Sequence, residues 1–140
     1  MLSNSSEYPV DIYDDCPCSG TNLSRLLQPA IMTILAGGEL HGYAIVDRLA
    51  ETPVLAGERP DPTGVYRGLS AMEGRGLVTS SWDTSEHGPA RKIYELTPQG
   101  HKCLARWISS LSNYHGAIGD LLADAKMASA RFKRSHRKEQ

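Results

Sequence analysis

At 140 residues the chain is long enough for one globular domain with a modest core and is short for two. No apolar run approaches the roughly 20 residues of a membrane span, and the first residues lack the basic and apolar regions of a secretory signal, so we expect a cytoplasmic protein without a membrane partner. The net charge of −1 excludes a domain that binds nucleic acid through uniform positive charge.

The first predicted segment is an irregular arm, residues 1–22, with a Cys-x-Cys sequence at Cys16 and Cys18. This spacing is compatible with one soft metal ion, whose site Cys103 and His101 would complete if the arm reaches them. A redox-sensitive thiol pair and three inert thiols, with Cys103 a small buried residue, are the other two interpretations. The sequence therefore requires no cofactor, and a metal at the arm is one hypothesis of three.

Two helices are predicted after the arm. Apolar residues recur at helical spacing from Leu23 to Leu35, with Pro29 in a first turn or at a kink, and a pair of glycines ends the pattern. The second helix is predicted to open at His41-Gly42 and to run to about Glu51. The apolar positions are Leu26, Leu27, Ala30, Ile31, Ile34 and Leu35 in the first helix, and Tyr43, Ile45, Val46 and Leu49 in the second.

A third helix is predicted from Asp61, after a loop. Asp61 is a favourable N-cap, Pro62 fits the first turn, and the segment from Gly74 to Gly76 ends the helix. Its apolar face contains Val65, Leu69 and Met72. Residues 39–76 are thus two helices separated by a loop, which is compatible with a helix-turn-helix.

A β-hairpin is predicted next, because VTSSWD and RKIYELT, which are rich in β-branched and aromatic residues, flank a loop with Gly88-Pro89. Trp82 and Tyr94 give the hairpin an apolar face to pack against a core. The basic residues near its tip are His87, Arg91 and Lys92. A helix followed by a hairpin with a basic tip is the outline of a winged helix.

Two more helices are predicted at the end of the chain. Thr97-Pro98 begins the first, whose apolar face is Leu104, Trp107, Ile108 and Leu111. The second, from about Tyr114, has an apolar stripe close to a seven-residue repeat, which we expect to pair with a second copy of the chain. Packing of the stripe on its own domain is the alternative. The stripe contains Tyr114, Ile118, Leu121, Leu122, Ala125, Ala128 and Phe132.

The predicted fold is mainly α with a small antiparallel β-hairpin, a winged helix-turn-helix followed by a C-terminal dimerisation helix. The winged-helix domain is predicted at 23–112, the dimerisation helix at 113–134, and a basic tail at 135–140. The residues expected to form the homodimer are Ile118, Leu121, Leu122, Ala125 and Phe132.

Several short motifs stand in a specific order between residues 23 and 112. They lie in LHGYAIVDRLAE, PTGVYRGLSAMEGRGLVTSSW and GPARKIYELTPQGHKCLARW. The Gly-Tyr and Tyr-Arg pairs, the Met-Glu-x-x-Gly-Leu end, the Gly-Pro-x-Arg-Lys-x-Tyr strand and the Leu-Thr-x-x-Gly start resemble the PadR family of bacterial and archaeal transcriptional regulators. Met72 stands where leucine is commonest in that family, and Thr63-Gly64-Val65-Tyr66 stands where many members have Gly-Thr-Leu-Tyr.

The resemblance implies a homodimeric winged-helix regulator of double-stranded DNA. Such a protein is typically a repressor of a nearby gene for detoxification or efflux, released by a signal that is here a small molecule, a metal or a redox change. The start of the third helix would enter the major groove of a palindromic operator, with Thr63, Tyr66 and Arg67 near bases or phosphates.

Four further residues are expected at the DNA. Tyr43 and Lys92 would contact phosphates, while Arg91 and His87 in the wing would reach a neighbouring minor groove. The low net charge is no objection, because a dimer needs only one basic face.

Alternative roles remain open for three of these residues. Tyr43 and Tyr66 are core residues with only the hydroxyl exposed in one interpretation, and Arg67 pairs with Glu73 or another carboxylate. At the level of the whole chain, the alternative is a winged-helix module that binds proteins rather than DNA.

An enzyme is not expected. The five histidines fall in different predicted elements, and no Gly-x-Ser-x-Gly, phosphate loop or His-Glu-x-x-His is present. If an effector pocket exists, composition places it at Trp107, Leu104 and Ile34.

Overall fold

The structure, a computed structural model, describes residues 26–52, 60–85 and 88–138. The predicted arm with Cys16 and Cys18, the predicted start of the first helix at Leu23, residues 53–59 of the predicted loop, and His87 lie outside the described residues. The elements are α1 (Leu27–Leu35), β1 (Leu40–His41), α2 (Gly42–Ala50), α3 (Pro62–Gly74), β2 (Val78–Asp83), β3 (Arg91–Leu96) and α4 (Pro98–Lys138).

The described strands form one three-stranded antiparallel sheet in the order β1-β3-β2. In the hairpin, β2 pairs with β3 from Val78 opposite Leu96 to Asp83 opposite Arg91. Strand β1 pairs with the other edge of β3, with His41 opposite Ile93. The predicted hairpin is confirmed, whereas β1 was not predicted because two residues are too short to give an alternating pattern.

The core of the winged-helix portion lies between the first three helices and the base of the hairpin. Its buried side chains are Ile31, Met32, Leu35, Ile45, Val46, Leu49, Val65, Leu69, Met72, Leu77, Val78, Tyr94 and Leu96. The predicted faces of α2 and α3 are confirmed, except that Tyr43 is exposed. In α1, Ile31 and Leu35 are buried as predicted, and Met32 is buried without having been predicted. The other predicted positions of the first helix are half-buried, namely Leu26, Leu27, Ala30 and Ile34. Burial raises the pKa of the Tyr94 hydroxyl, and the charge of Glu73 raises it further.

Helix α3 has well-defined signals at both ends. At its start, the Asp61 side chain accepts a hydrogen bond from the Thr63 amide, with an N···Oδ1 distance of 3.3 Å. At its end, Gly76 has a φ of 78°, and the amides of Gly76 and Leu77 donate to Glu73 and Met72. This is a Schellman motif, whose left-handed residue is favourable for glycine. Both predicted ends are confirmed.

Replacing the N-cap of α3 is expected to cost a modest amount of stability. Asp61→Ala leaves the Thr63 amide without its side-chain acceptor, so the free energy of unfolding should fall by about 1 kcal/mol. Urea denaturation at fixed protein concentration measures this change. Ser70→Ala, an exposed change within the same helix, is the control and should be neutral or slightly stabilising. Equal stability of the Asp61 and Ser70 variants would contradict the assigned cap.

The hairpin corrects one prediction about its apolar face. Tyr94 is 4% exposed, as expected, but Trp82 is 63% exposed. Alternation places Trp82 on the same face of the ribbon as Val78, which is buried. The ribbon extends past the core towards its tip, so the face that is apolar and buried at the base carries an exposed Trp82 further along.

The end of the chain also differs from the prediction. A separate last helix from about Tyr114 is wrong, because α4 is one continuous helix from Pro98 to Lys138. The helix continues through this region because no proline follows Pro98 in the sequence, and a glycine within a helix, such as Gly116, costs only about 1 kcal/mol. The chain divides into two compact units, with the division between Lys102 and Cys103. The roles predicted for 113–134 and 135–140 stay predictions.

The second unit presents many large apolar side chains to solvent. The exposed ones are Ile108, Tyr114, Ile118, Leu121, Leu122, Met127 and Phe132. In the described ranges, no helix combines the length and apolarity needed to cross a lipid bilayer.

Candidate nucleic-acid interface

An open cleft of about 460 Å³ lies on the surface of the first unit, lined by Gly42, Tyr43, Tyr66, Arg91 and Lys92. Its lining comes from the start of α2, the first half of α3 and the start of β3. These segments are distant in sequence and adjacent in the fold. Four of the seven residues predicted to contact DNA therefore lie around one cleft.

Gly42 allows the two helices to approach closely at this cleft. A Cβ atom there would overlap the Tyr66 ring, at 2.9 Å from its hydroxyl oxygen and 3.0 Å from Cζ. Gly42 is buried at the first position of α2, so the ring of Tyr66 lies over the start of that helix. The Gly42-Tyr43 pair was noted in the sequence, but the contact between Gly42 and Tyr66 on α3 was not predicted.

Gly42→Ala is expected to displace the Tyr66 ring from the cleft. The ring is the end of a flexible side chain, so the stability cost should stay near 1 kcal/mol, the order of an off-rotamer side chain. If Tyr66 contributes a hydrogen bond to DNA, affinity should fall about fivefold per subunit. Anisotropy titration of labelled DNA measures the loss. The same change made in a Tyr66→Ala background should have no further effect on affinity, and a full additional loss would contradict the coupling.

Both tyrosines of the cleft are surface residues, with 46% of Tyr43 and 39% of Tyr66 exposed. The interpretation that they are core residues is therefore wrong. The Tyr43 ring stacks on His41, with 5.3 Å between ring centroids and 26° between planes. The Arg91 guanidinium carbon lies 5.1 Å from the Tyr43 centroid, a cation–π contact. Tyr43 thus has a defined position between the wing and the start of α2.

Asp83, at the end of β2, joins the wing to β1. Its Oδ2 lies 2.9 Å from Nε2 of His41, and its Oδ1 accepts from the Ser85 hydroxyl at 2.6 Å and the Ser85 amide at 3.0 Å. The Ser85 hydrogen bonds, followed by that of His41, lower the pKa of the Asp83 carboxyl to about 2. Sequence reasoning missed His41 and Asp83, because they are 42 residues apart and no motif pairs them.

Lys92 and Trp82 form a second cation–π pair on the wing. The Lys92 ammonium lies 5.5 Å from the Trp82 ring centroid, and the two residues face each other across the hairpin. Lys92 is half-buried while Trp82 is exposed. The pair places an aromatic surface beside the cationic cleft.

The other predicted DNA residues on α3, Thr63 and Arg67, are exposed but do not line the cleft. Glu73, the suggested partner of Arg67, instead accepts a hydrogen bond from the Ser80 hydroxyl at 2.7 Å. Within the described ranges, Arg67 makes no ion pair. Its guanidinium is therefore available at the surface.

The cleft has the chemistry of an anion site. Two residues with cationic side chains, Arg91 and Lys92, and two with phenolic hydroxyls, Tyr43 and Tyr66, line it. Such groups hold a phosphate oxygen by charge-assisted hydrogen bonds. Nothing in this set resembles a nucleophile with an adjacent base.

The predicted metal site and effector pocket involve a different set of residues from the cleft. In the part of the chain that the structure describes, no three His, Cys, Asp or Glu side chains form a group able to hold a metal ion. Cys103 is a half-buried free thiol. Ile34 belongs to the first unit, Leu104 and Trp107 to the second, and all three are half-buried. The effector pocket stays a prediction.

Three short helices followed by a two-stranded wing define the winged helix-turn-helix class, and the predicted fold class is confirmed. The chain matches the transcriptional regulator PadR-like family over residues 31–106. It therefore belongs to the PadR family, as the sequence motifs indicated. The family consists of transcriptional regulators and not of enzymes.

Solved structures give the same assignment. A PadR family transcriptional regulator from Eggerthella lenta is 27% identical with a TM-score of 0.62, over 79% of this chain and 95% of that chain. PadR from Bacillus subtilis, solved in complex with operator DNA, is 25% identical with a TM-score of 0.52, over 59% of this chain and 47% of that chain.

A curated relative is an uncharacterised 37.1 kDa protein in a transposon of Streptomyces fradiae, 30% identical over 98 residues. The match covers 70% of this chain and 26% of that protein. The chain thus spans about a quarter of the length of this relative.

Proposed function

We propose that the chain is a cytoplasmic transcriptional regulator that binds double-stranded DNA, with the cleft between α2, α3 and the wing holding a phosphate of the DNA backbone. The observation that carries this proposal is that Arg91, Lys92, Tyr43 and Tyr66 all line one open cleft. Cations and hydroxyl donors are the groups with which proteins hold DNA phosphates. The relative from B. subtilis was solved with operator DNA, which supports the same partner here.

Base recognition is assigned to the start of α3. Thr63 and Arg67 are exposed on this helix, and Tyr66 on the same helix lines the cleft. A helix that enters the major groove contacts base edges with its first turns. Phosphates held at the cleft would fix the helix in register, while Arg67 donates to a guanine or a phosphate.

A homodimer is the proposed functional form. The exposed apolar side chains of α4 include Ile118, Leu121, Leu122 and Phe132, and Ala125 is exposed between them. Pairing of this stripe with a second copy would remove it from water. A twofold dimer binds two half-sites about 34 Å apart, which implies a palindromic operator.

Repression of a nearby gene and release by a signal complete the proposal. A small molecule is the first candidate for that signal. A metal or redox signal would act through Cys16, Cys18 and Cys103. A small molecule or metal would have to bind the free form of the protein more tightly than the DNA-bound form, and a redox change would have to favour the free form.

A protein-binding module is the second candidate function. The exposed Trp82 favours it, since aromatic residues are enriched at protein interfaces. The cations beside Trp82 favour DNA instead, because charged residues are depleted from the centres of protein interfaces.

The function is tested by titrating the purified protein against a labelled fragment of the DNA upstream of its own gene. Saturable retardation that resists excess random duplex is expected, and sedimentation should give the mass of two chains. A folded protein that binds this fragment no better than random duplex, and that captures protein partners, would favour the second candidate.

A further inference from the structure

The side chains around Asp83 pose a problem for a DNA-binding surface. Asp83 faces Arg91 directly across the hairpin. Side chains in such a pair lie about 5 Å apart at Cβ, so an aspartate and an arginine there ordinarily form an ion pair. An ion pair would neutralise Arg91 and hold its guanidinium on the wing, away from a phosphate.

The described residues do not form that pair. The ion-pair partner of Asp83 is His41, at 2.9 Å, and the Arg91 guanidinium lies over the Tyr43 ring instead. The other carboxylate oxygen of Asp83 is used by Ser85. Both oxygens are thus engaged, and Arg91 remains among the residues that line the cleft.

The position of His41 follows from the sheet. Strands β1 and β2 lie on opposite edges of β3, so a side chain of β1 meets one of β2 only by reaching across the central strand. His41 does this from the N-cap position of α2, and its ring also stacks on Tyr43. One imidazole therefore fixes the carboxylate and supports the ring beneath Arg91.

We propose that His41 is a positioning residue that holds the Asp83 carboxylate away from Arg91 and so keeps the Arg91 guanidinium available to a DNA phosphate. This inference rests on the proposed function. It assigns no DNA contact to His41 itself. Without the imidazole, Asp83 Oδ2 would be free to pair with Arg91. The carboxylate would then compensate the charge of Arg91 and draw its guanidinium away from Tyr43.

If the proposal is right, the DNA affinity lost in His41→Ala should return when Asp83 is also replaced by alanine. His41→Ala should weaken binding to the labelled upstream fragment about fivefold and lower its salt dependence, because Arg91 is captured. Asp83→Ala alone should bind at least as tightly as the wild type, since a negative charge leaves the interface. His41→Ala combined with Asp83→Ala should recover most of the affinity, because the competing carboxylate is gone.

A structural role for His41 would give a different pattern. If His41 only stabilises the fold, the double variant would bind as weakly as His41→Ala or more weakly, and that result would overturn the proposal. Thermal unfolding of each variant identifies losses that come from instability. His41→Gln, whose amide is able to donate to Asp83, should keep near wild-type affinity for DNA. This variant tests the role of the hydrogen bond even if His41→Ala folds poorly.

The failures of the two proposals are distinguishable. If the wild type shows no specific retardation, the proposed DNA function fails and this inference falls with it. If the wild type binds and His41→Ala binds equally well with the same salt dependence, the DNA function stands and only the role of His41 is refuted.

Discussion

Gly100→Ala should destabilise the winged-helix portion by about 3 kcal/mol, at the upper end of the costs of overpacking. Gly100 is buried near the start of α4, and a Cβ there would overlap the backbone oxygen of Leu77 and come within 2.9 Å of Leu96 Cγ. The Leu77 oxygen cannot move easily, because it accepts from the Thr97 amide at 3.0 Å and lies 3.0 Å from the Thr97 hydroxyl. The Gly100 amide in turn donates to that hydroxyl.

Urea denaturation of the wild type and the Gly100 variant at one protein concentration measures the change. Gly116→Ala is the matched control, because Gly116 lies in the same helix and a Cβ there has nothing within 4 Å. The control should be stabilised by up to about 1 kcal/mol through helix propensity. A Gly100→Ala variant as stable as this control would show that the end of the hairpin and the start of α4 do not pack as described.

Arg67→Ala and Lys92→Ala should each weaken DNA binding about tenfold or more. Both residues are assigned to phosphates or base edges, and a lost charged contact costs on the order of 1–3 kcal/mol. Because the proposed dimer would lose two cations, the slope of log affinity against log salt should become shallower by about 2 where the contact is to phosphate. Lys92→Ala should lower the affinity for specific and random duplexes by similar factors. If Arg67 contacts a guanine, Arg67→Ala should lower the affinity for the specific duplex more than that for random duplex.

Arg75→Ala provides the control, since it removes the same charge from the opposite end of α3, where Arg75 is the exposed C-cap. Anisotropy titrations at several salt concentrations separate the contacts from the effect of net charge. Affinity and salt dependence unchanged in both the Arg67 and Lys92 variants would place the DNA on another face.

Local signals in the sequence were sufficient for most of the fold. Asp61 with Pro62 defined the start of α3, the segment to Gly76 defined its end, and Gly88-Pro89 defined the hairpin loop. Each signal acts within a few residues through backbone conformation and hydrogen bonding, so it is visible without tertiary information. One wrong prediction, a break before Tyr114, placed a helix end where no strong terminating residue stands.

The candidate site was only partly predictable for the same reason. Arg91, Lys92 and the two tyrosines were found from their residue types and motif positions. The overlap that Gly42 avoids depends on how α2 and α3 pack, and the bond from His41 to Asp83 depends on which strands pair with β3. Strand β1 supplies that pairing with only two residues, and nothing in its pattern separates it from a loop.

Selection of bound duplexes from a random-sequence library would show whether this protein recognises a specific DNA sequence. Purified protein is mixed with the library at physiological salt, and bound DNA is recovered, amplified and sequenced over several rounds. The account predicts enrichment of a palindromic sequence with half-sites about one helical turn apart, and loss of that enrichment when Arg67 and Lys92 are both replaced by alanine. Recovery of DNA with the same sequence distribution as the input, from a folded wild-type protein, would contradict it.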